Sequence, residues 1–155
     1  MGIILVIILS YLIGSISPSW FFGKLKGIDL RKAGSRNVGG LNAIKQIGFI
    51  PGVIAAILDI AKGVLIFYIA FVSTSSMLLM YLVGLAGFLG HIFPFYLNFM
   101  GGKGQAVGYG LIIGTLLWLG LAGWPLLVAF FLTKCFFKKS VDYIRGYKSI
   151  KKRKR

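Results

Sequence analysis

Two glycine-rich segments and three isolated ionisable residues hold most of the chemistry that this sequence of 155 residues offers. The run Gly101-Gly102-Lys103-Gly104-Gln105 combines features that suit an anion. Glycine lets a backbone approach a ligand closely, amides that open a helix attract negative charge, and Lys103 adds a full positive charge. It is not a nucleotide-type phosphate loop, because Gly104 follows the lysine where that motif needs Ser or Thr. The segment Gly34-Ser35-Arg36-Asn37-Val38-Gly39-Gly40-Leu41-Asn42-Ala43-Ile44-Lys45 has the same chemistry, with hydroxyl and amide side chains and two cations. Two such segments point to a phosphorylated ligand more strongly than either alone.

Asp59 and Lys62 lie three residues apart inside an apolar run, a spacing that puts them on one helix face. A charge at the centre of a membrane-spanning helix costs about 2.5–3.5 kcal/mol on insertion scales. The two residues must therefore neutralise each other as a structural pair or border a polar cavity, and both readings stay open at this point. His91, the one histidine, stands in Gly90-His91-Ile92-Phe93-Pro94. It reads either as a buried structural residue or as the one candidate protein base. Pro94 must end or kink the helix if His91 and Gly101 are to reach one depth. One His, one Cys (Cys135) and three scattered acids give no metal-ligand spacing, so neither a metal nor a cofactor is expected.

The elements that must position these residues are apolar. The chain is 57% hydrophobic and 14% charged, with a mean hydropathy of +0.87, which excludes a soluble globular domain. Apolar runs at 1–22, 47–72, 77–100, 105–120 and 121–137 predict an all-α, polytopic membrane bundle of about five transmembrane helices. The last two runs are divided by Gly120, Gly123 and Pro125 and flanked by Trp118 and Trp124, as a hairpin near a membrane face would be. Lys24 and Lys26 follow the first run, the reverse of a signal peptide, so 1–22 reads as a retained helix.

The net charge of +15 arises from 18 Lys and Arg against Asp29, Asp59 and Asp142. The connection 23–46, the turn at Lys103 and the C-terminus are basic, whereas 73–76 and 121–125 are uncharged. With five spans all charged connections fall on one side, which places the N-terminus outside and the C-terminus in the cytoplasm. Ten of the basic residues lie in 134–155, which reads as an anchor on anionic lipid rather than a nucleic-acid site. The expected organisation is one membrane domain over 1–137 and a basic tail over 138–155.

With these features in view, the sequence resembles the bacterial integral-membrane acyl-phosphate-dependent glycerol-3-phosphate acyltransferases. The matching stretches are Gly14-Ser15 with Pro18, Gly27-Ile28-Asp29-Leu30-Arg31, and Gly34-Ser35-x-Asn37-x-Gly39-x-x-Asn42. Leu58-Asp59-x-x-Lys62-Gly63, Gly90-His91-x-x-Pro94 and Phe99-x-Gly101-Gly102-Lys103-Gly104-x-Ala106 follow in order. The resemblance implies transfer of a fatty acyl group from acyl phosphate to the sn-1 hydroxyl of glycerol 3-phosphate, giving lysophosphatidic acid for phospholipid synthesis in the bacterial inner membrane. Acyltransferases with a His followed four residues later by Asp work differently; here Phe95 holds that place. On this reading Lys103 with the Gly101, Gly102 and Gly104 amides holds one phosphate. Ser35, Asn37, Asn42 and Lys45 hold the other, His91, Ser35 and Lys103 form the catalytic set, and Asp59 and Lys62 line or brace the cavity. The partners implied are the two substrates, membrane lipids and no nucleic acid. Ser140 lacks the surroundings of the family's later serine motif and no histidine follows His91. These differences support a second reading, a non-catalytic relative that binds phosphorylated lipid precursors or a membrane partner subunit.

Overall fold

The computed structural model describes residues 2–119, and the fifth apolar run, the turn at 121–125, Cys135 and the basic tail lie outside them. Contacts divide the chain into Met1–Thr115 and Leu116–Arg155, and nearly everything described belongs to the first unit. Among the described residues the structure is helical, in the order α1 (Ile3–Ser15), α2 (Pro18–Leu25), α3 (Gly40–Gln46), α4 (Phe49–Ser73), α5 (Met77–Ile92), a 3-10 turn (Phe95–Leu97) and α6 (Gln105–Trp118). Three stretches are long and apolar enough to cross a membrane: Ile3–Leu25, Phe49–Ser73 and Met77–Leu97.

The first span differs from the uninterrupted helix expected over 1–22. Pro18 cannot supply an amide hydrogen to Gly14, and it drives the preceding residue out of the helical region. Ser17 is accordingly extended (φ −114°, ψ 97°), and its side chain caps α2 by accepting from the Trp20 amide. The span is thus two helices meeting at an elbow. The other breaks have equally local causes. Gly27 and Gly48 take positive φ after α2 and before α4, a conformation that is cheap for glycine. Pro94 stops α5, and Asn98 and Phe99 in the left-handed region turn the chain back towards α5.

Val6, Ala70 and Val83 from α1, α4 and α5 form one buried core, with Ile3, Ile7, Ile69 and Met80 packed around it. The Ser10 hydroxyl donates to the Val83 carbonyl at 2.7 Å, a polar cross-link of the kind that joins helices in lipid. Helices α1 and α5 cross closely at Gly14 and Gly87; a Cβ on Gly14 would lie 1.9 Å from the Gly87 carbonyl oxygen. Large side chains such as Ile4, Ile8, Ile57 and Tyr68 remain exposed, an exterior suited to hydrocarbon. A second small core of Leu30, Ala43 and Ile47, backed by Phe22 and Ile28, fastens α3 and the connection before it.

Candidate functional site

The elbow leaves carbonyls that a continuous helix would have satisfied, and broken backbone at membrane depth is tolerated only where protein supplies partners. Here the partners are two side chains. The Lys62 ammonium, near the middle of α4, donates to the Gly14 carbonyl at 2.9 Å and also to that of Ile16. Tyr96 donates its hydroxyl hydrogen to the Ser15 carbonyl at 2.9 Å and accepts the Ser17 amide at 3.0 Å. Trp20 packs edge-on against Tyr96, with ring centres 5.7 Å apart. Proline removed one donor from the helix, and a lysine from a neighbouring helix replaces it.

Lys62 is also ion-paired with Asp59 at 2.8 Å, and the Nδ1 atom of His91 lies 3.0 Å from its Nζ. All three residues are buried, at 8%, 1% and 4% exposure respectively. Burial at this depth requires mutual compensation; the ion pair balances the two charges, while Asp59 Oδ1 accepts no hydrogen bond among the described residues.

His91 connects this cluster to the glycine turn. Past Pro94 the chain folds back, so that the Gly101 amide donates to the Ile92 carbonyl at 3.0 Å and the Gly102 amide to the His91 carbonyl at 3.1 Å. The turn therefore completes the C-terminal end of α5. The Cα of Gly102 faces the imidazole, and a methyl there would stand 2.2 Å from His91 Nε2. Pro94 does bring His91 and Gly101 to one depth.

The earlier connection docks on the same turn, the Val38 amide donating to the Gly101 carbonyl at 3.4 Å. Asn42 shapes that connection from the inside. Its two Nδ2 hydrogens are shared among the carbonyls of Leu30, Ala33 and Asn37 at 3.3, 3.1 and 2.9 Å, and its Oδ1 accepts the Ser35 amide at 3.1 Å. Arg31 and Asp29 form a two-pronged ion pair, with Nε to Oδ1 at 3.0 Å and Nη2 to Oδ2 at 2.8 Å, and Arg31 also reaches the Leu97 carbonyl at 3.4 Å. The guanidinium hydrogen bonds hold the Asp29 carboxyl down to about 2. The same bonds raise Arg31 above its usual value.

The structure thus joins Asp59, Lys62 and His91 in one buried cluster and sets Gly101 and Gly102 against it. Ser35, Arg36, Lys45 and Lys103 are exposed. The amide hydrogens of the glycine turn and of Asn42 are already engaged within the fold. The amide hydrogens of Gly101 and Gly102 go to the end of α5 rather than outward. Those of Asn42 go to the carbonyls of its own connection, because a buried amide is stable only when it is bonded. What remains outward at the turn is Lys103, with Gly104 leading into α6 and accepting the Gly108 amide at 2.7 Å. Sequence reasoning gave no part to Tyr96 or to the Arg31–Asp29 clamp. The Asp-x-Arg spacing at 29–31 was the available signal for the clamp, whereas Tyr96 had none. Among the described residues no group of three or more metal-ligating side chains is present.

Comparison with known proteins gives a consistent picture. Residues 4–143 match the profile of the family described as glycerol-3-phosphate acyltransferase. A glycerol-3-phosphate acyltransferase of Thermotoga petrophila is 42% identical over 127 residues, covering 81% of this chain and 61% of the relative. One of Parasynechococcus marenigrum is 37% identical, covering 81% and 60%. The chain spans little more than half the length of such curated relatives, down to 52% for that of Pelodictyon phaeoclathratiforme. A crystal structure of PlsY (YgiH), an integral membrane glycerol 3-phosphate acyltransferase, in its glycerol 3-phosphate form is 36% identical. It covers 79% of this chain and 66% of that one, with a TM-score of 0.65. The lysophosphatidic acid form of PlsY is 34% identical, with a TM-score of 0.61 over 79% and 65%.

Proposed function

The chain belongs to the glycerol-3-phosphate acyltransferase family, and from that premise we propose that it transfers an acyl group from acyl phosphate to the sn-1 hydroxyl of glycerol 3-phosphate. The new ester bond forms as the bond between the acyl carbon and the phosphate oxygen breaks, and the hydroxyl proton leaves with the phosphate. The products are lysophosphatidic acid and inorganic phosphate. The observation that carries this reading is the junction of the two anion-type segments through Val38 and Gly101, beside spans apolar enough to accept an acyl chain.

Phosphate is a good leaving group, so the chain's main work is positioning and charge stabilisation. Lys103 and the amides opening α6 from Gly104 receive one phosphate. Ser35, Asn37 and Lys45 face the other, with Asn42 and the Arg31–Asp29 clamp holding their segment in shape. The protein is a multi-pass membrane protein. We place it in the bacterial inner membrane with the loops and C-terminus in the cytoplasm, residues 1–137 as its membrane domain and 138–155 as a basic tail on anionic lipid.

The test is transfer from palmitoyl phosphate to labelled glycerol 3-phosphate by the whole chain in liposomes. Lysophosphatidic acid should form, and Lys103→Ala should lower the rate about 100-fold or more, the scale of losing one stabilising group. Binding of glycerol 3-phosphate without any transfer would replace this reading by that of a non-catalytic relative.

A further inference from the structure

We propose that Lys62, with Asp59 behind it, positions His91 as a fixed Nε2–H donor aimed at the glycine turn, so that the ring serves a bound phosphate as a neutral hydrogen-bond donor and not as a proton acceptor. The choice of glycerol 3-phosphate as that ligand rests on the function proposed above.

A lysine ammonium has three donors and no acceptor. It sits 3.0 Å from His91 Nδ1, and only a lone pair can face it there, since an N–H would point hydrogen at hydrogen. The one competing acceptor is Asp59 Oδ1, at 3.5 Å from Nδ1, which is too long for a good N–H···O bond. Nδ1 is therefore bare, and the ring's single hydrogen resides on Nε2. The ammonium is itself held in place by Asp59 and by the Gly14 and Ile16 carbonyls, so it is a fixed element of the site. The charged groups against the ring are Asp59 and Lys62 of α4. From α1 the nearby titratable group is Tyr11, whose hydroxyl donates to the Phe93 carbonyl at 2.6 Å, and the turn adds the exposed Lys103.

The other face of the ring has an equally clear neighbour. Nε2 is directed at Gly102, where a side chain would collide with it, and among the described residues nothing accepts its hydrogen. Lys103 follows directly in sequence, so a phosphate held by that lysine is the acceptor in reach. The backbone bond from Gly102 to the His91 carbonyl at 3.1 Å keeps ring and turn in register. Lys62 is in this sense a positioning residue: it touches no substrate and acts through His91.

His91 is the one histidine of the chain, so nitrogen-15 histidine labelling of the whole protein in lipid nanodiscs reports a single ring. At neutral pH the wild-type spectrum should show hydrogen on Nε2 and none on Nδ1, and glycerol 3-phosphate should shift the Nε2 signal. In Lys62→Met the hydrogen should move to Nδ1, drawn by Asp59, and affinity for glycerol 3-phosphate should fall about tenfold, as expected for a misdirected bond to a charged group. The milder Asp59→Asn keeps the ammonium and should keep Nδ1 bare. Hydrogen on Nδ1 in the wild type overturns the proposal, and so does an unchanged ring in Lys62→Met. An Nε2 signal insensitive to glycerol 3-phosphate overturns the donation. If Lys62→Met does not fold, the wild-type and Asp59→Asn spectra still decide. A ring as described in a chain that transfers no acyl group refutes the acyltransferase reading and leaves this one standing.

Discussion

Lys62 and Lys103 are the same side chain in opposite circumstances, and the contrast separates what holds this protein together from what is left to meet a ligand. Lys62 is buried within α4 and touches four partners: a carboxylate, two carbonyls and an imidazole. Lys103 is exposed on a turn of glycines. A buried ammonium must have its hydrogens bonded or its burial costs several kcal/mol. An exposed one costs little and can exchange water for phosphate. Cations of one type thus divide by depth into one that is engaged within the fold and one that is exposed.

The largest effect that would sharpen this contrast is on stability. Lys62→Met leaves Asp59 and two elbow carbonyls without their cation and should cost about 3–5 kcal/mol, read as a lower unfolding midpoint in detergent. Lys103→Met should shift that midpoint by no more than about 0.5 kcal/mol while lowering the rate of transfer about 100-fold or more. Equal losses of stability in the two variants would break the comparison.

Next in size is Gly102→Ala. Its methyl would meet His91 Nε2 at 2.2 Å and the Val38 carbonyl at 2.8 Å, so overpacking of about 1–3 kcal/mol is expected, together with loss of phosphate binding measured by calorimetry. Asn42→Ala should follow at about 1–3 kcal/mol, because the Ser35 amide and three carbonyls lose their partner. Its signature is a raised KM for glycerol 3-phosphate with kcat little changed.

The smallest effect concerns Asp29. Its folded carboxyl titrates at about 2, against 3.8 for the ordinary group. A depressed folded value contributes stability that is complete above 3.8 and lost as the pH falls from there towards 2. Wild type should therefore lose more of its unfolding midpoint across that window than Asp29→Asn does. Parallel curves would show that the clamp contributes nothing.

Much of the architecture was legible beforehand because lipid imposes a simple rule on sequence. Runs of about 20 apolar residues must become helices, and the spans at Phe49–Ser73 and Met77–Leu97 follow it. Pro94 announced the end of α5, and the glycine turn announced a close backbone approach. The broken first span was harder to read, since Ile3–Leu25 is apolar enough throughout to hide the elbow at Ser17 and Pro18. The pairing of Asp59 with Lys62 was one of two open readings, and their spacing alone could not choose between them.

By itself the sequence determined the apolar spans, the helices and the resemblance to an acyltransferase family. Those follow from composition, run length and motif order, which are local properties of the chain. Tertiary structure alone decided which groups are already committed. The Gly101, Gly102 and Asn42 amide hydrogens bond within the protein, and Lys62 bridges the elbow to His91 across separations of 46 and 29 residues. A donor's availability depends on which acceptors the fold brings within about 3 Å, and no spacing along the chain encodes that distance.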